Sequence, residues 1–436
     1  MPEPLSSPGH LDDSVRYGLD ELADWRQHLR QWLALHVPAS WRVRLADDRS
    51  ADYVDFQQWW RTELRAGGLL APHWPEAAGG AGLGLAEQMI LAEELAWADA
   101  PRLTLFYVSL YHAAGTILAM GTPDQQRKYL PGILDGDVWC QGFSETEAGS
   151  DLAGLQTRAR RDGDSYVVNG HKIWSTGADL ARYCLLLART DVDAPRHAAL
   201  SYMILDLSSP GVEVRPIRQI SGDHEFSQIF FNDVRVSCGD LIGAEGQGWK
   251  VALSTLSIER SVTFVDLCER LRMSCRRLAR DLAGQLAAGR ARSEAGVLRQ
   301  ELACLHARLE SLRLICHQML EGSLTSDGEH GPKGATAGVT ESYGPMIKLC
   351  YSDLLQRLSD LGVRIAGLDA NIEQLLNRTA AGETRAWLPD YLTSFGWTIS
   401  GGANEIMCNI IAERTLGLPR DTNGSCEPAG RCLTMT

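Results

Sequence analysis

The amino-acid sequence predicts an α+β protein in which a β domain lies between two helical domains. Apolar residues recur at helical spacing before Val138, and helical spacing returns after about residue 240. Between these regions the chain consists of short runs rich in Val, Ile, Tyr and Phe, which are typical of strands. These patterns place the domains at 1–138, 139–240 and 241–420, followed by a tail at 421–436 that we expect to be disordered.

The overall composition limits the classes of protein that the chain can represent. A formal net charge of -13 argues against nucleic-acid binding, and no window of about eighteen apolar residues predicts a membrane span. The N-terminal segment MPEPLSSPGHLDDS does not have the basic and apolar pattern of a secretory signal. Eleven cysteines without a CxxC pair are typical of reduced, small apolar side chains rather than disulfides or metal ligands. We therefore expect a cytoplasmic protein without a metal site.

The N-terminal domain is predicted to be mostly helical. Apolar residues at helical spacing indicate a first helix over 22–33, and the segment LAEQMILAEELAWA indicates a second helix from Leu85. Thr122 and Gln125 are spaced as a capping box around Pro123, which favours the start of a third helix. Core packing is the expected role of four tryptophans in this region: Trp25, Trp32, Trp59 and Trp60.

The middle domain is predicted to be built from antiparallel strands. Five runs have the composition of strands: SYVVNG, YCLLLART, ALSYMILDL, GVEVRPI and SQIFFNDVRV. The turn residues Asp162-Gly163 and Ser209-Pro210-Gly211 punctuate them at the spacing of an antiparallel barrel or sandwich. An Asn169-Gly170 pair predicts a hairpin turn between two short strands.

The C-terminal domain is predicted to be a helical bundle. Helical spacing returns in four segments: 249–288, 294–321, 348–365 and 391–416. The segment 323–342 is rich in Gly, Ser and Thr, which favours a mobile loop between the second helix and the third.

One stretch, residues 141–178, has the residue types of a ligand-binding site. Its first half, QGFSETEAGSD, concentrates small and hydroxyl residues in one loop, where a backbone can approach a ligand closely. Its second half ends in Trp174-Ser175-Thr176-Gly177, which places an indole beside two hydroxyls. Such a loop and wall suit a flat ligand with polar edges, whereas loops of this composition more often serve as plain turns.

This stretch resembles the flavin-contacting segment of the acyl-CoA dehydrogenase family, through the motifs SETEAGSD and NGHKIWST. Three further segments are similar to that family: FSQIFFNDVRV, GAEGQGW, and the run ISGGANEI from Ile399 that continues to Arg420. The last run is similar to actinobacterial members that act on steroid side chains and other bulky acyl thioesters. The resemblance covers nearly the whole chain and implies the same order of helical, β and helical domains.

The resemblance implies FAD as the cofactor. In the family the loop lies along the pyrimidine side of the flavin, and the hydroxyl at the position of Thr176 faces flavin N5. Ser150 and Arg260 match positions that hold the polar portion of the substrate. The cofactor-binding residues that the resemblance implies are Gln141, Phe143, Ser144, Trp174 and Thr176.

The reaction of this family removes the α-proton of an acyl thioester while the β-hydrogen leaves as hydride to the flavin. A thioester α-carbon is a weak acid, so the site has to polarise the carbonyl as well as supply a base. The family uses a flavin ribityl hydroxyl and a backbone N–H at the position of Gly401 for this purpose. Many members also carry the catalytic glutamate at that position, where this chain has glycine.

A subset of the family places its glutamate on the helix after the β domain, directly before an arginine. Glu259 and Arg260 stand at that place here, so we predict that Glu259 is the catalytic base. The alternative is that both residues are solvated charges on a helix surface, which is the usual role of charged helix residues.

The chain departs from the family where members contact the flavin of the neighbouring subunit. No Phe-Gly pair occurs between Arg260 and Arg299, no Gly-rich turn is evident at 366–369, and Cys408 stands where arginine is common.

Three hypotheses about the function remain. The first is a dehydrogenase that uses an acyl thioester of coenzyme A or an acyl carrier protein, and passes electrons to an electron-transfer flavoprotein. The second is a non-catalytic subunit that completes the site of a paralogue in a mixed oligomer. The third is a flavin oxidase or monooxygenase of the same fold.

Overall fold

The computed structural model describes residues 19–45, 50–259, 263–289, 294–325, 335–367 and 387–419. Within these ranges the chain has a helical region, a β-sheet and a second helical region, in that order. The fold class predicted from the sequence is therefore confirmed. The tail at 421–436, which the sequence predicts to be disordered, lies outside the described residues.

The N-terminal region is helical, as predicted. Its described α-helices are α1 Leu19–His36, α2 Trp41–Arg44, α3 Ala51–Ala66, α4 Leu85–Trp97, α5 Ala114–Met120 and α6 Pro123–Asp135. The predicted capping box begins α6. The Thr122 hydroxyl accepts a hydrogen bond from the Gln125 N–H at 3.2 Å, and the Gln125 side chain accepts one from the Thr122 N–H at 2.9 Å. The two bonds satisfy backbone donors that the helix start would otherwise leave unpaired.

Three of the four tryptophans predicted to lie in the core are found there. Trp25, Trp32 and Trp60 are buried, whereas Trp59 is 37% exposed. The prediction for Trp59 is wrong because consecutive helical residues point about 100° apart, so α3 cannot direct both Trp59 and Trp60 into the same core.

The middle region folds into one eight-stranded sheet. The strands are β1 Trp139–Gly142, β2 Arg158–Asp162, β3 Ser165–Thr176, β4 Tyr183–Arg189, β5 Leu200–Asp206, β6 Val212–Ile217, β7 Phe226–Ser237 and β8 Leu241–Ile242. Their order is β6-β7-β3-β2-β4-β5-β8, with β1 paired to β4. Most neighbours are antiparallel, as predicted, but β1 and β2 both pair with β4 in parallel. Parallel neighbours need a crossover connection, which the β2–β3 hairpin supplies between β1 and β4.

The hairpin predicted at Asn169-Gly170 is not formed. β3 continues through both residues as one strand, paired with β7 on either side of a register shift. Gly170 lies at φ +144°, and the Asn169 carboxamide donates to Asp233 on β7 at 2.9 Å. The pair makes a bulge rather than a turn, because pairing with the long strand β7 outweighs the local turn preference. The chain reverses instead at the other predicted glycine turn, Gly163, between β2 and β3.

The C-terminal region forms a bundle of helices. They are α7 Gly248–Glu259, α8 Thr263–Ala287, α9 Ala295–Thr325, α10 Ala335–Ala366, α11 Trp387–Trp397 and α12 Asn404–Ile410. The loop predicted over 323–342 is wrong at both ends, since α9 extends to Thr325 and α10 begins at Ala335. Elongating a helix that has already formed adds one hydrogen bond per residue, which offsets the weak helical preference of Gly and Ser. Residues 326–334 lie outside the described ranges.

The sheet separates two apolar cores. Leu185 and Leu187 of β4 face the core shared with the N-terminal helices, whereas Leu186 and Ala188 face the second core. A third core fills the bundle of α8, α9 and α10. Five cysteines are buried in these cores, as predicted for small apolar side chains: Cys140, Cys184, Cys268, Cys275 and Cys316.

No helix in the described ranges is both long and apolar enough to cross a bilayer. Within the same ranges, no three His, Cys, Asp or Glu side chains are grouped to hold a metal ion.

A cluster of buried charges joins the two helical regions. Glu93 and Glu94 of α4 accept hydrogen bonds from Arg26 of α1 at 2.7 and 2.6 Å. Glu269 of α8 accepts one from Arg313 of α9 at 3.2 Å, and Arg313 also lies 3.8 Å from Glu93. All three carboxylates are buried. Since breaking a buried ion pair leaves an uncompensated charge, the cluster holds the N-terminal helices against the C-terminal bundle.

The carboxylate of Glu93 should make part of the stability acid-sensitive. Burial alone would raise its pKa, but His317 and Arg26 outweigh burial and lower the pKa to about 2. A carboxyl group with a lowered pKa stabilises the fold above its unfolded pKa, and this contribution is lost as the pH falls through the folded pKa. We therefore expect Glu93→Gln to be less stable than wild type near neutral pH, with a difference that shrinks below the ordinary value of 4.5. Urea unfolding across this range measures the difference, and a constant value would contradict the prediction.

Candidate active site

The loop after β1 is fastened to β3 by a buried ion pair. Lys172 Nζ lies 2.8 Å from Glu145 Oε1, and neither side chain is more than 5% exposed. Lys172 also donates to the Phe143 carbonyl at 2.9 Å. Glu145 accepts hydrogen bonds from the backbone N–H groups of Gln156 at 2.6 Å and Thr157 at 2.9 Å. The loop that contains SETEAGSD is therefore held at its beginning and at its end by one buried pair.

Each partner of this pair favours the charged form of the other. Burial alone would raise the pKa of Glu145, but the charge of Lys172 and the hydrogen bonds to the carboxylate hold the pKa below its ordinary value. Burial lowers the pKa of Lys172 to about 8, against the opposing effect of Glu145. This pair was not predicted from the sequence. Its only signal in the sequence is one acidic and one basic residue of the same motif region, which does not reveal burial.

Trp174 has a left-handed backbone and an exposed ring. Its φ is +63°, it lies at a register shift between β3 and β7, and its side chain is 55% exposed. A left-handed backbone is rare for a bulky residue and costs on the order of 1–3 kcal/mol, which the surrounding structure has to offset. Phe226 of β7 packs edge-on against the indole, with 5.9 Å between the ring centroids. The bulge therefore presents an aromatic surface to solvent at the end of the predicted site.

Ser175 and Thr176, which follow, differ in their surroundings. Ser175 is buried and lies opposite Ser227 in the pairing of β3 with β7. Neither of these two hydroxyls has a hydrogen-bond partner among the described residues. Thr176 is half-buried and ends β3 opposite Phe226. Of the two hydroxyl residues in the KIWST motif, Thr176 is therefore the one that a ligand can reach.

Gln141 on β1 contacts a π-helical turn that precedes α5. Its carboxamide oxygen lies 3.1 Å from Nδ1 of His112, within the π-helical turn Val108–Ala113. Ser109 fixes this turn, because its hydroxyl accepts a hydrogen bond from the Trp139 N–H at 2.9 Å. π-helical turns are rare and occur frequently at functional sites. The contact of His112 with Gln141 was not predicted, because a single histidine in a helical segment forms no recognisable pattern.

The remaining predicted contacts of this loop lie on different sides of it. Phe143 is buried, and its ring packs edge-on against Tyr202 with 5.6 Å between centroids. The Ser144 carbonyl accepts a hydrogen bond from the Ile173 N–H at 2.9 Å, which ties the loop to β3. Ser150 is exposed at the outer part of the loop. The structure thus brings Phe143 and Ser144 against β3. Gln141 lies opposite Leu185 of β4, and Ser150 faces solvent.

α7 carries the predicted base at its C-terminal end. Thr255 fixes this helix, because its hydroxyl lies 2.7 Å from Thr116 Oγ1 on α5 and 3.1 Å from the Tyr202 hydroxyl on β5. Of Glu259 the structure describes only the backbone, as the last residue of α7. Arg260 lies outside the described residues. The roles predicted for both residues therefore stay predictions.

The closing signature forms a glycine turn between α11 and α12. Gly401 and Gly402 have φ values of +64° and +94°, in the left-handed region that favours glycine. The Asn404 N–H donates to the Thr398 carbonyl at 2.9 Å and closes the turn. At Gly401 the chain offers only backbone groups to a ligand. α10 packs against both α7 and α12, so one helix supports the segment that ends at Glu259 and the segment that follows Gly401.

The described residues fit a bound flavin. An isoalloxazine ring has flat faces and polar edges, so it needs an aromatic or apolar surface and several hydrogen-bonding groups. Trp174 supplies an exposed aromatic surface at the bulge between β3 and β7. The adjacent loop supplies small residues and hydroxyls, and the buried pair of Lys172 and Glu145 keeps that loop in place.

The chain matches models of known protein domains over most of its length. Sequence models of the acyl-CoA dehydrogenase N-terminal, middle and C-terminal domains match residues 20–137, 140–234 and 246–416. The chain is 35% identical over 414 residues to the acyl-CoA dehydrogenase IpdE1 of Mycobacterium tuberculosis, over 93% of this chain and 100% of that protein. The Tcur3481-Tcur3483 steroid ACAD is similar in structure, with a TM-score of 0.73, 28% identity, and coverage of 94% of this chain and 100% of that one. The ChsE4-ChsE5 complex of M. tuberculosis is similar to the same degree, with a TM-score of 0.73, 28% identity, and coverage of 93% and 99%.

Domain order and site together define a flavin-dependent oxidoreductase. All three domains match in sequence, and IpdE1 is matched over its whole length. The chain belongs to the acyl-CoA dehydrogenase family. Its cofactor is FAD, as the sequence resemblance implied, and the reaction of the family is flavin-dependent dehydrogenation of acyl thioesters.

Proposed function

We propose that this protein introduces an α,β double bond into a bulky acyl thioester. The observation that carries the proposal is Trp174, exposed in a left-handed conformation beside a loop that a buried ion pair holds in place. Bound FAD would supply the hydride acceptor for the β-hydrogen of the substrate. Gln141, Phe143, Ser144, Trp174 and Thr176 are the residues that we propose to hold it.

The chain's own residues supply the base and the hydrogen bond to the carbonyl. Glu259 takes the α-proton, because Gly401 has no side chain that can do so. The Gly401 N–H donates to the thioester carbonyl and stabilises the negative charge that develops on its oxygen. Ser150 and Arg260 hold the polar portion of the substrate.

The relatives support a large acyl group. One similar structure is that of a steroid ACAD, and the similar protein IpdE1 is an acyl-CoA dehydrogenase. We therefore infer a thioester with a ring-containing or similarly bulky acyl group. Coenzyme A is the favoured carrier, and an acyl carrier protein is the alternative.

Anaerobic titration with bulky acyl-CoA thioesters tests the proposal. We expect the visible absorbance of the oxidised flavin to bleach, and the product to be lighter than the substrate by two hydrogens. An electron-transfer flavoprotein should then reoxidise the enzyme faster than oxygen does. Rapid reoxidation by oxygen would instead identify an oxidase, and a flavin that no such thioester reduces would contradict the proposal.

Thr176→Ala is expected to weaken FAD retention or to slow flavin reduction. The proposed role of the Thr176 hydroxyl is a contact with the flavin, whereas the neighbouring Ser175 side chain is fully buried. Ser175→Ala is therefore the matched control, which should change neither property. The FAD content after gel filtration and the rate of flavin reduction measure the effect. A Thr176→Ala protein that equals wild type in both would contradict the assignment.

The C-terminal face predicts an oligomer. Four large apolar side chains are exposed on the last described segment: Phe395, Ile399, Leu416 and Leu418. Several exposed large apolar side chains in one segment favour a protein contact. We propose that a second subunit, either another copy or a paralogue, binds this segment. Sedimentation should show at least a dimer whenever FAD is bound, and a flavin-loaded monomer would contradict this prediction.

A second candidate function is that of a subunit that completes the site of a paralogue. Two observations favour it: Gly401 offers no carboxylate, and both similar structures reported above are assemblies of two named proteins. In that case the purified chain alone would hold little FAD and would not be reduced. Co-expression with the paralogue would restore both properties.

A further inference from the structure

The turn that carries Gly401 is anchored to α10 through one side chain. Asn404 begins α12 directly after the turn, and its carboxamide oxygen accepts a hydrogen bond from Lys348 Nζ at 2.8 Å. The Ser352 hydroxyl lies 3.0 Å from the same oxygen and 3.1 Å from the Leu349 carbonyl of its own helix. Lys348 is 3% exposed and Ser352 is fully buried. Two buried donors on α10 therefore converge on a single acceptor.

The two donors are placed to act together. Lys348 and Ser352 are four residues apart, so their side chains lie on the same face of α10. Burying an ammonium group is costly unless it is hydrogen-bonded, and an apolar side chain would pack in the bundle without that cost. The lysine therefore has a specific use at this position, and the side chain that it holds is Asn404.

Anchoring Asn404 fixes the geometry of the turn. Its backbone N–H donates to the Thr398 carbonyl at 2.9 Å, so the turn of residues 398–404 is closed at its base. Gly401 and Gly402 lie within this closed turn, both with left-handed backbones. A shift of Asn404 would therefore move the turn that contains the Gly401 N–H.

We propose that Lys348 and Ser352 are positioning residues for the reaction. They hold Asn404, and through it they keep the Gly401 N–H directed at the thioester carbonyl. Neither residue contacts the substrate in this scheme. The inference rests on the proposed function, since it needs the Gly401 N–H to be the donor to that carbonyl.

Substitution of the anchor should slow chemistry more than binding. Loss of an oxyanion donor slows catalysis by roughly 10²- to 10³-fold, and a donor that is only misdirected should slow it by about 10- to 100-fold. Lys348→Met keeps the length of the side chain and removes the donor. Its rate of flavin reduction at saturating acyl-CoA should fall by that smaller factor, while FAD content and the thioester dissociation constant stay near wild type.

A double-mutant cycle tests whether Lys348 affects the rate of flavin reduction through Asn404. If Lys348 acts through Asn404, the double variant Lys348→Met/Asn404→Ala should be no slower than the slower single variant. Hydrogen exchange gives a readout that does not depend on activity: residues 398–410 should exchange faster in Lys348→Met. Additive losses, or exchange unchanged in this segment, would overturn the proposal.

Serine variants on the same helix provide a milder test and its control. Ser352→Ala removes one donor to Asn404, whereas Ser359→Ala removes an equally buried hydroxyl that bonds only the Leu355 carbonyl of its own helix. Ser352→Ala should slow flavin reduction and Ser359→Ala should not, even if Lys348→Met fails to fold. Equal rates for these two serine variants would overturn the proposal. If wild type itself is not reduced by acyl-CoA, the proposed function has failed, while the exchange measurement still decides the anchoring of the turn.

Discussion

Glu259→Gln should bind FAD and thioester as wild type does, yet reduce its flavin roughly 10²- to 10⁴-fold more slowly. Glutamine keeps the size of the side chain and removes its basicity, so the loss falls on removal of the α-proton. Stopped-flow measurement of flavin reduction under anaerobic conditions gives the rate directly. The prediction depends on the glycine at position 401, which leaves that place in the site without a carboxylate.

An exposed glutamate provides the control for this prediction. Glu294 lies exposed at the beginning of the described segment that contains α9, far along the chain from the proposed site residues. Glu294→Gln removes the same charge and should leave the rate unchanged. If Glu259→Gln reduced its flavin at nearly the wild-type rate, Glu259 would be a surface or structural residue, and the base would have to come from elsewhere or from a partner subunit.

Lys172→Met should destabilise the protein by about 3–5 kcal/mol, the range found when one partner of a buried ion pair is removed. The variant leaves the Glu145 carboxylate buried with its two backbone donors but without the ammonium 2.8 Å away. Since this pair holds the loop against β3, FAD retention should fall as well. Urea unfolding and FAD content measure the two effects.

Two variants test whether the unpaired buried charge causes the loss of stability in Lys172→Met. Lys172→Met/Glu145→Gln removes the uncompensated charge and should recover much of the lost stability. Lys128→Met breaks a pair of the same 2.8 Å length with Asp240, but Lys128 is 56% exposed, so the loss should be about 1 kcal/mol or less. Equal losses for Lys172→Met and Lys128→Met would show that burial does not determine the strength of the pair.

Of two glycine-containing pairs that predicted a turn, one forms a turn and the other does not. Asp162-Gly163 turns as predicted because β2 and β3 pair directly on either side of it. Asn169-Gly170 carries an equally strong local signal, yet it forms a bulge because β7 is long enough to pair with β3 beyond both residues. Local propensity therefore identified where the chain departs from regular geometry, while strand pairing decided the kind of departure.

In the candidate site, too, the sequence revealed the motifs but not the contacts that surround them. The motif SETEAGSD and the motif KIWST identified the loop, the tryptophan and the family, because their residue types and order are characteristic. The left-handed backbone of Trp174, the contact of His112 with Gln141 and the hydrogen bonds of Lys348 to Asn404 were not predictable. Each of these joins residues that are distant in sequence or depends on a bulge that pairing creates.

Four features could be predicted from the amino-acid sequence alone: the order of the domains, the helix that starts at Pro123, the family and its cofactor. These follow from periodicity, a local capping box and long motifs, all of which act within a short span of chain. Which charges are buried depends instead on the packing of elements that are distant in sequence. Glu145 and Lys172 are 27 residues apart, and Lys348 and Asn404 are 56 apart, so each pair exists only once strands or helices have packed. Burial then makes these polar contacts strong, because a charge removed from water depends on the partner that the fold supplies.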